Sequence, residues 1–599
     1  MKIGWNLVVS GLFLLASAGT LAAEVPAVLS ELPADAAVIG AIQPFTAINP
    51  KVNKITGSMG ITDPNQPVDI AQLLAGQLQI PGQIDETRGI GFAVLDLEKF
   101  QETLAGFLPI KDAAAVSSAL KEQGAQEAKG AQGILMIPEP NIFARITPKY
   151  LIFSPNLNIL KGLKGGGYQL TPAQRDLFSN NDVAVVVNLK ALLAQSKPKL
   201  LQQIQKNTKM QDHPGAKAIS AMGIDRLSEL QFAAVALNLS DAGINLNLLA
   251  QAQESTTLAG YLAGNPPADA AALAKFPANA ARIVTFKFNP KLFHGPINAI
   301  LDILATQSSI APKLNKADVN ATKDLIKQLY TTWAAGTKAA YLPPTSGPGM
   351  KEITILSNAN GQAGLDTLQK LVVQIEKLSA QAGYANTAAY QSGAGEAAGI
   401  KYDEMTFDLT QLPIPEKLVI VPGLITIDKQ KISLQLAQVE NKLVITEGAA
   451  SMEAGIKLAQ QQPAPSAADD FGKTLANLPK SANFLIGCNV QKAIQGAMMA
   501  QPQGMQSNPM LMMLMGVFSQ VQSNLGLAVT LENGQARAST IIPTDLLQTV
   551  MQVGMQMMMM GGMQGGPGGP GSGEMGGAEP APMPRRSQPE PVPQGPPSF

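Results

Sequence analysis

Few residues in this chain have types and spacings that do chemistry. Histidine occurs twice, as His213 and His294. His213 stands in Gln211-Asp212-His213-Pro214-Gly215 and His294 in Phe293-His294-Gly295-Pro296, settings that read as turns or breaks. The single cysteine, Cys488, sits in an apolar, strand-like run from Phe484 to Asn489. A zinc site draws three or four ligands from His, Cys and carboxylates, and these three residues form no such cluster. A nucleophilic cysteine needs a neighbour that favours the thiolate. None adjoins Cys488, which reads as a small hydrophobe. The sequence has no Gly-x-Ser-x-Gly elbow in a strand-to-helix setting, no Walker loop and no His-Glu-x-x-His. Gly165-Gly166-Gly167 follows a helical run and reads as a helix stop. The stretch from Asp63 to Asp69 offers closely spaced oxygens but lacks the Gly and terminal Glu of an EF-hand loop, so it reads as a polar turn. Two facing carboxylates are enough for glycoside hydrolysis, but aromatic residues make up only 5%. That leaves little for sugar platforms. No catalytic, cofactor-binding or metal-ligating residue is assigned.

Methionine is the most unusual component. There are 24, concentrated late: Met498, Met499, Met505, Met510, Met512, Met513, Met515, Met551, Met555 and Met557 to Met560. Three readings remain open. Thioethers are soft ligands for Cu(I); methionine-rich surfaces adapt to varied apolar partners; or the residue simply fills helix faces and a biased tail. Met551, Met555 and Met558 fall on one helix face.

The wider composition narrows the classes. The 599 residues are 46% hydrophobic and 15% charged, with Lys+Arg 44 balancing Asp+Glu 44. There is no basic excess to neutralise phosphates, which argues against nucleic-acid binding. Lys2 precedes an uncharged stretch from Ile3 to Ala23 with an apolar centre at Leu12 to Leu15 and small residues after it. This is the pattern of a cleaved signal peptide, with an uncleaved anchor as the alternative. Without a cysteine near the cleavage site, a lipoprotein anchor is excluded. The expected compartment is the periplasm or the cell exterior. One cysteine permits no internal disulfide, so stability must come from the core.

The elements imply a duplication. Leu32 to Ile39 resembles Phe276 to Ile283, and Phe178 to Val185 resembles Leu478 to Leu485. Each is a polar turn leading into a strand. Between these openings the order of elements agrees. Gly89 to Leu97 and Lys351 to Ser357 are strand-like, followed by helical runs Ala113 to Lys121 and Leu365 to Leu378. Hairpins follow at Phe143 to Ser154 and Ile432 to Glu447, then helices at Leu157 to Lys164 and Met452 to Gln460. Each half closes on a hairpin, Leu230 to Ala250 and Leu525 to Ile542, the second turning at Asn533-Gly534, a strong hairpin signal. Helices then begin at Thr256 to Leu262 and Thr544 to Met560. Frequent hairpins favour α+β with mainly antiparallel sheet and covering helices. The expected division is a signal peptide over 1–23, a first half over 24–267, and a second half over 268–560 with an insertion near 380–424. A Gly/Pro/Met-rich tail over 561–599 is expected to be disordered. Val183 to Asn188 is apolar on both faces and should be central. In Phe232 to Leu249, Val235, Leu237 and Leu239 share one face, and Asn238 and Ser240 the other, a pattern that gives a strand with one wetter face.

The Leu-Pro-Ala-Asp-Ala opening at Leu32, echoed at Phe276, Leu478 and more weakly Phe178, resembles a loose group of exported bacterial proteins that are repeat-built and α+β. That group carries no established activity, so no functional residue follows from the resemblance. The sequence leads to an exported, non-enzymatic protein of binding or structural type. A carrier of a lipid or other apolar ligand and a carboxylate-only hydrolase are the alternatives. An apolar ligand or a protein partner would meet the methionine-rich C-terminal region.

Overall fold

The computed structural model describes residues 24–551 apart from 59, 61–65, 98, 139–140, 164–166, 207–213, 241, 270–280, 288, 290–294, 296–297, 300, 303–304, 307–310, 333–336, 343–350, 358–360, 412–416, 422–424, 429, 448, 461–473, 475–476, 494–515, 517–520 and 522. The expected signal segment and the expected disordered tail lie outside the described residues. The fold is α+β, with antiparallel sheet throughout, and the described residues belong to one compact unit ending at Met551.

The first half contributes ten strands: β1 (Val38–Ile42), β2 (Ile90–Val94), β3 (Leu104–Pro109), β4 (Gln126–Glu127), β5 (Ile134–Ile137), β6 (Ile142–Ile146), β7 (Tyr150–Ser154), β8 (Val183–Val187), β9 (Leu230–Ser240) and β10 (Gly243–Ala252). In space they run β4-β5-β6-β7-β3-β2-β1-β8-β9-β10. Side chains alternate across a strand, so each strand feeds two cores. On one face lie α1 (Phe45–Ser58), α2 (Ile70–Gln77) and α3 (Ala113–Glu122), whose Phe45, Ile48, Ile70 and Val116 join Ile42, Leu108 and Val183. On the other lie α4 (Leu157–Gly162) and α5 (Pro172–Asn180), whose Leu160 and Phe178 join Phe107, Ala184, Phe232 and Ala236. Sequence punctuation starts these helices. Asp112 accepts from the N–H groups of Ala114 and Ala115 at the head of α3. Thr171 and Gln174 form a capping box on α5, with Pro172 in the first turn. Beyond β8, α6 (Leu189–Lys206) and α7 (Pro214–Leu227) form a helical pair tied by Lys197 to Asp225 at 2.8 Å. Then α8 (Thr257–Ala263) leads out of β10.

The second half contains β11 (Ala268–Asp269), β12 (Arg282–Phe286), β13 (Thr337–Leu342), β14 (Lys351–Ser357), β15 (Ala388–Ala397), β16 (Ile400–Asp408), β17 (Lys417–Val421), β18 (Ile425–Asp428), β19 (Lys431–Val439), β20 (Lys442–Thr446), β21 (Ser481–Ala482), β22 (Phe484–Asn489), β23 (Asn524–Glu532) and β24 (Gln535–Pro543). Its large sheet runs β24-β23-β22-β12-β13-β14-β20-β19-β16-β15. Helix α9 (Lys316–Thr332) packs on α10 (Gly361–Ala382), which covers one face through Leu365, Leu368 and Val372; α11 (Ala449–Gln460) covers the other through Met452 and Ile456. A last helix, α12, spans 544–551.

Read outward from the middle, the two halves share one connectivity. The bonds around equivalent strands repeat as well. The Asp182 and Asn483 side chains accept from the N–H groups of Leu239 and Leu531 at 3.1 and 2.6 Å. The N–H groups of Gln43 and Lys287 donate to the carbonyls of Asp182 and Asn483, and those of Asn188 and Asn489 to Ala37 and Ala281. One strand pairing differs from the sequence reading. Lys351–Ser357 corresponds to β3 and not to the strand within Gly89 to Leu97, whose counterpart is β13. Where the insertion was expected, β15 and β16 are long and β17–β18 form a separate two-stranded sheet.

Strand β10 pairs with β24 and fuses the halves into a continuous 20-stranded sheet. This ladder runs from Gly243↔Pro543 to Gln251↔Gln535, with Asn247↔Ser539 in the middle. Leu239 faces Ile244 across one hairpin, and Leu531 faces Ala536 across the other. Asn247 and Ser539 are therefore equivalent positions, and a local two-fold passes between them.

Tyr150 gives a measurable consequence of the core. It is 1% exposed and its hydroxyl has no hydrogen-bond partner. Burial pushes its pKa from 10.0 up to about 12, against a smaller opposing pull from Arg88. Between those values the unfolded chain has lost a proton that the folded chain keeps. Stability should fall there by about 1.4 kcal/mol per pH unit through this group. Tyr150→Phe should remove that slope and, at neutral pH, raise stability by about 1 kcal/mol, since no bond is lost and an orphan is deleted. Urea midpoints at pH 8 and pH 11 for both proteins measure it; equal slopes would refute the assignment.

Candidate functional site

The two-fold lies under a row of apolar side chains that crosses seven strands. Through successive registers, Val185 faces Val235, Val235 faces Leu248, Leu248 faces Ala538, Ala538 faces Val529, Val529 faces Phe484, and Phe484 faces Phe286. At ~4.8 Å between strands the row is about 29 Å long. None of its members is buried, and Val235 and Leu248 are each 44% exposed. A second row, Leu237–Leu246–Thr540–Leu527–Ile486, runs beside it and is half-buried. The helix Phe45–Ser58 reaches the edge of this face, where Ile55 packs on Leu239 and Ile244.

The opposite side of the same strands is closed. Ala184, Ala234, Ala236, Leu249, Ala528 and Leu485 are all buried there. At the two-fold, the Ser539 hydroxyl donates to Asn247 Oδ1 at 2.8 Å, Asn247 Nδ2 to Asn181 Oδ1 at 2.8 Å, and Asn181 Nδ2 to the Leu177 carbonyl at 2.7 Å. Arg537 pairs with Asp176 at 3.4 Å. This network pins the register of the junction. Along β9 the expected difference between faces varies with position: small alanines let α5 pack close at Ala234 and Ala236, Val235 opposite them is exposed, and towards the strand end Leu239 is buried while Asn238 and Ser240 are half-buried. A sheet normally turns its larger apolar side chains inward, so the inversion at Val235 marks this face as unusual.

A second concavity lies between α9 and α10. It has a volume of about 610 Å³ and is lined by Ala321, Leu325, Gln328, Gln369, Lys370 and Val373, among others. Val373 is 61% exposed. The two helices are clamped beside it at Asp318, which accepts from Lys377 and Gln381, both at 2.6 Å. The Lys377 bond, then that of Gln381, holds the Asp318 carboxyl below the usual range.

The carboxylates with the most defined surroundings serve the fold. Asp182 pairs with Lys51 at 2.6 Å. Glu376 accepts from the backbone N–H groups of Asn386, Thr387 and Ala388 and anchors the start of β15. Asp403 accepts from the Tyr390 hydroxyl and the Gly393 N–H, holding the bulge in β15. Among the described residues, no three of His, Cys, Asp or Glu converge on a point where a metal ion would sit, and no helix is long and apolar enough to cross a membrane. Cys488 is half-buried in β22 opposite Arg282, and burial pushes its thiol up despite that cation. His213, His294 and the methionines at 498–515 and 555–560 lie outside the described residues; Met551 closes α12 and is exposed.

Compared with known proteins, the chain matches no family model, no curated protein and no solved structure.

Proposed function

We propose that this is an exported, non-catalytic binding protein that holds an apolar partner against the centre of its sheet. The observation that carries the reading is the exposed cross-strand pair Val235 and Leu248, set in an apolar row over the junction of the halves. Exposing large aliphatic side chains in the middle of a sheet invites association, and a chain gains from it only when something covers them. The shared connectivity of the halves supports an internal duplication, and the uncharged N-terminal stretch after Lys2 supports export to the periplasm or the exterior. Helices packed on the sheet fill both cores of each half with their own side chains, which favours a surface partner over an enclosed ligand.

The test compares the protein, purified from its own envelope fraction, with a Val235→Asp, Leu248→Asp variant. Both positions are open enough for the substitutions to leave the fold intact, which far-UV circular dichroism checks. Native mass spectrometry of the wild type should show a bound species that the variant loses at least tenfold. Organic extraction then tells a protein partner from a lipid. Equal retention by the two proteins would refute the reading.

A further inference from the structure

We infer that the second half holds a small neutral hydroxyl-bearing guest in its core at Asn524, in a site that the first half has closed with a phenylalanine. Asn524 opens β23 and is 1% exposed. Neither its Nδ2 nor its Oδ1 has a hydrogen-bond partner in the protein. Its side chain lies on the closed side of the sheet with Gly526 and Ala528, away from the apolar row, so the inference is independent of the proposed function. A buried amide with both ends unsatisfied is costly, and native cores answer that cost with a guest.

The surroundings do not supply the missing bonds. The cross-strand neighbour is Asn489, whose Oδ1 already accepts from the Lys492 N–H at 2.8 Å. The Thr474 hydroxyl donates to the Asn524 backbone carbonyl at 3.3 Å, not to its amide. At the same end of the hairpin, just after β24, the Thr544 hydroxyl is also buried without a partner.

The first half shows the apolar solution to the same position. Val187 faces Ala233 there as Cys488 faces Leu525 here, so Phe232 is the counterpart of Asn524. Phe232 is 1% exposed and packs in the core with Ala184 and Leu249. Asparagine in place of that ring is shorter and exchanges a filled, dry position for one that both donates and accepts. The guest must accept from Nδ2 and donate to Oδ1, which is hydroxyl chemistry. It should be neutral, because the Asp545 carboxylate, which accepts from the N–H of the adjoining Ser523, is also engaged by the N–H of Leu546. Water and the hydroxyl of a small polyol both meet this description.

The test is a crystal structure of the mature protein, prepared without glycerol or sugar, at a resolution that shows ordered water. Density within about 2.7–3.2 Å of both amide atoms is expected. A single round peak identifies water and an extended shape a co-purified polyol. Absent density, or an amide turned to bond with protein atoms, would overturn the inference. Thermal melting of Asn524→Leu gives a second reading. With a guest in place, the substitution removes satisfied bonds, and the melting temperature should stay level or fall. A rise of several degrees would show that the amide was an unanswered orphan and would overturn the inference too.

Discussion

Asp182→Ala should cost about 3–5 kcal/mol, the loss typical of removing one partner of a buried ion pair. Asp182 is buried, and its partner Lys51, at 2.6 Å, is only 15% exposed. The same carboxylate accepts the Leu239 N–H where β9 leaves β8. The substitution therefore leaves a lysine without its counter-charge and a buried N–H without an acceptor. The second half shows how the site works without charge. Asn483 accepts from Leu531 with its oxygen and donates to the carbonyls of Asn265 and Lys287 at 3.0 and 3.4 Å. A Lys51→Met, Asp182→Asn double variant should accordingly recover most of the loss, since it keeps the acceptor and removes the cation. Urea denaturation followed by circular dichroism measures all three proteins. An unchanged midpoint for Asp182→Ala would contradict the assignment.

Gly243→Ala should be nearly as damaging, at about 2–5 kcal/mol from backbone strain and overpacking together. Gly243 begins β10 with φ at +136°, a conformation side chains rarely adopt, and it pairs with Ser240 on one side and Pro543 on the other. A Cβ there would strike the Ile542 carbonyl oxygen, which is backbone and cannot swing aside. The damage falls at one end of the ladder that joins the halves. Hydrogen exchange should show β10 and β24 losing protection before the strands on either side. Gly76→Ala is the control: in a helix with open space around it, it should stabilise by about 0.5–1 kcal/mol. Equal effects at the two glycines would rule out the steric argument.

Much of the fold was legible because local signals repeat. Asn533 and Gly534 both adopt positive φ at the β23–β24 turn, as that dipeptide favours. The double-sided apolar run at Val183 is a central strand, paired on both sides. β13 escaped because its alternation is built on Thr337, Ala339 and Tyr341 against Lys338 and Ala340, too weak a contrast to stand out beside Lys351–Ser357. The β10–β24 pairing had no local signal, since nothing within either hairpin states what lies on its outer edge. The candidate face was half legible. The alternation of Val235, Leu237 and Leu239 was plain, but which side the helices cover is a tertiary choice. Small residues at Ala234 and Ala236 are the clue that helix α5 packs close there.

The fused ladder also sets an order of events during synthesis. Strand β10 ends at Ala252, whereas its partner β24 is not made until Gln535–Pro543. For nearly half of the chain's elongation the first half can be folded with β10 as its open edge. That edge has no proline and no charged residue to discourage pairing with another chain. Its register also matches a second copy of itself about Asn247. Crowded nascent chains would thus meet a competing intermolecular ladder before the intramolecular one exists, and delayed arrival of the second half becomes a hazard for misassembly.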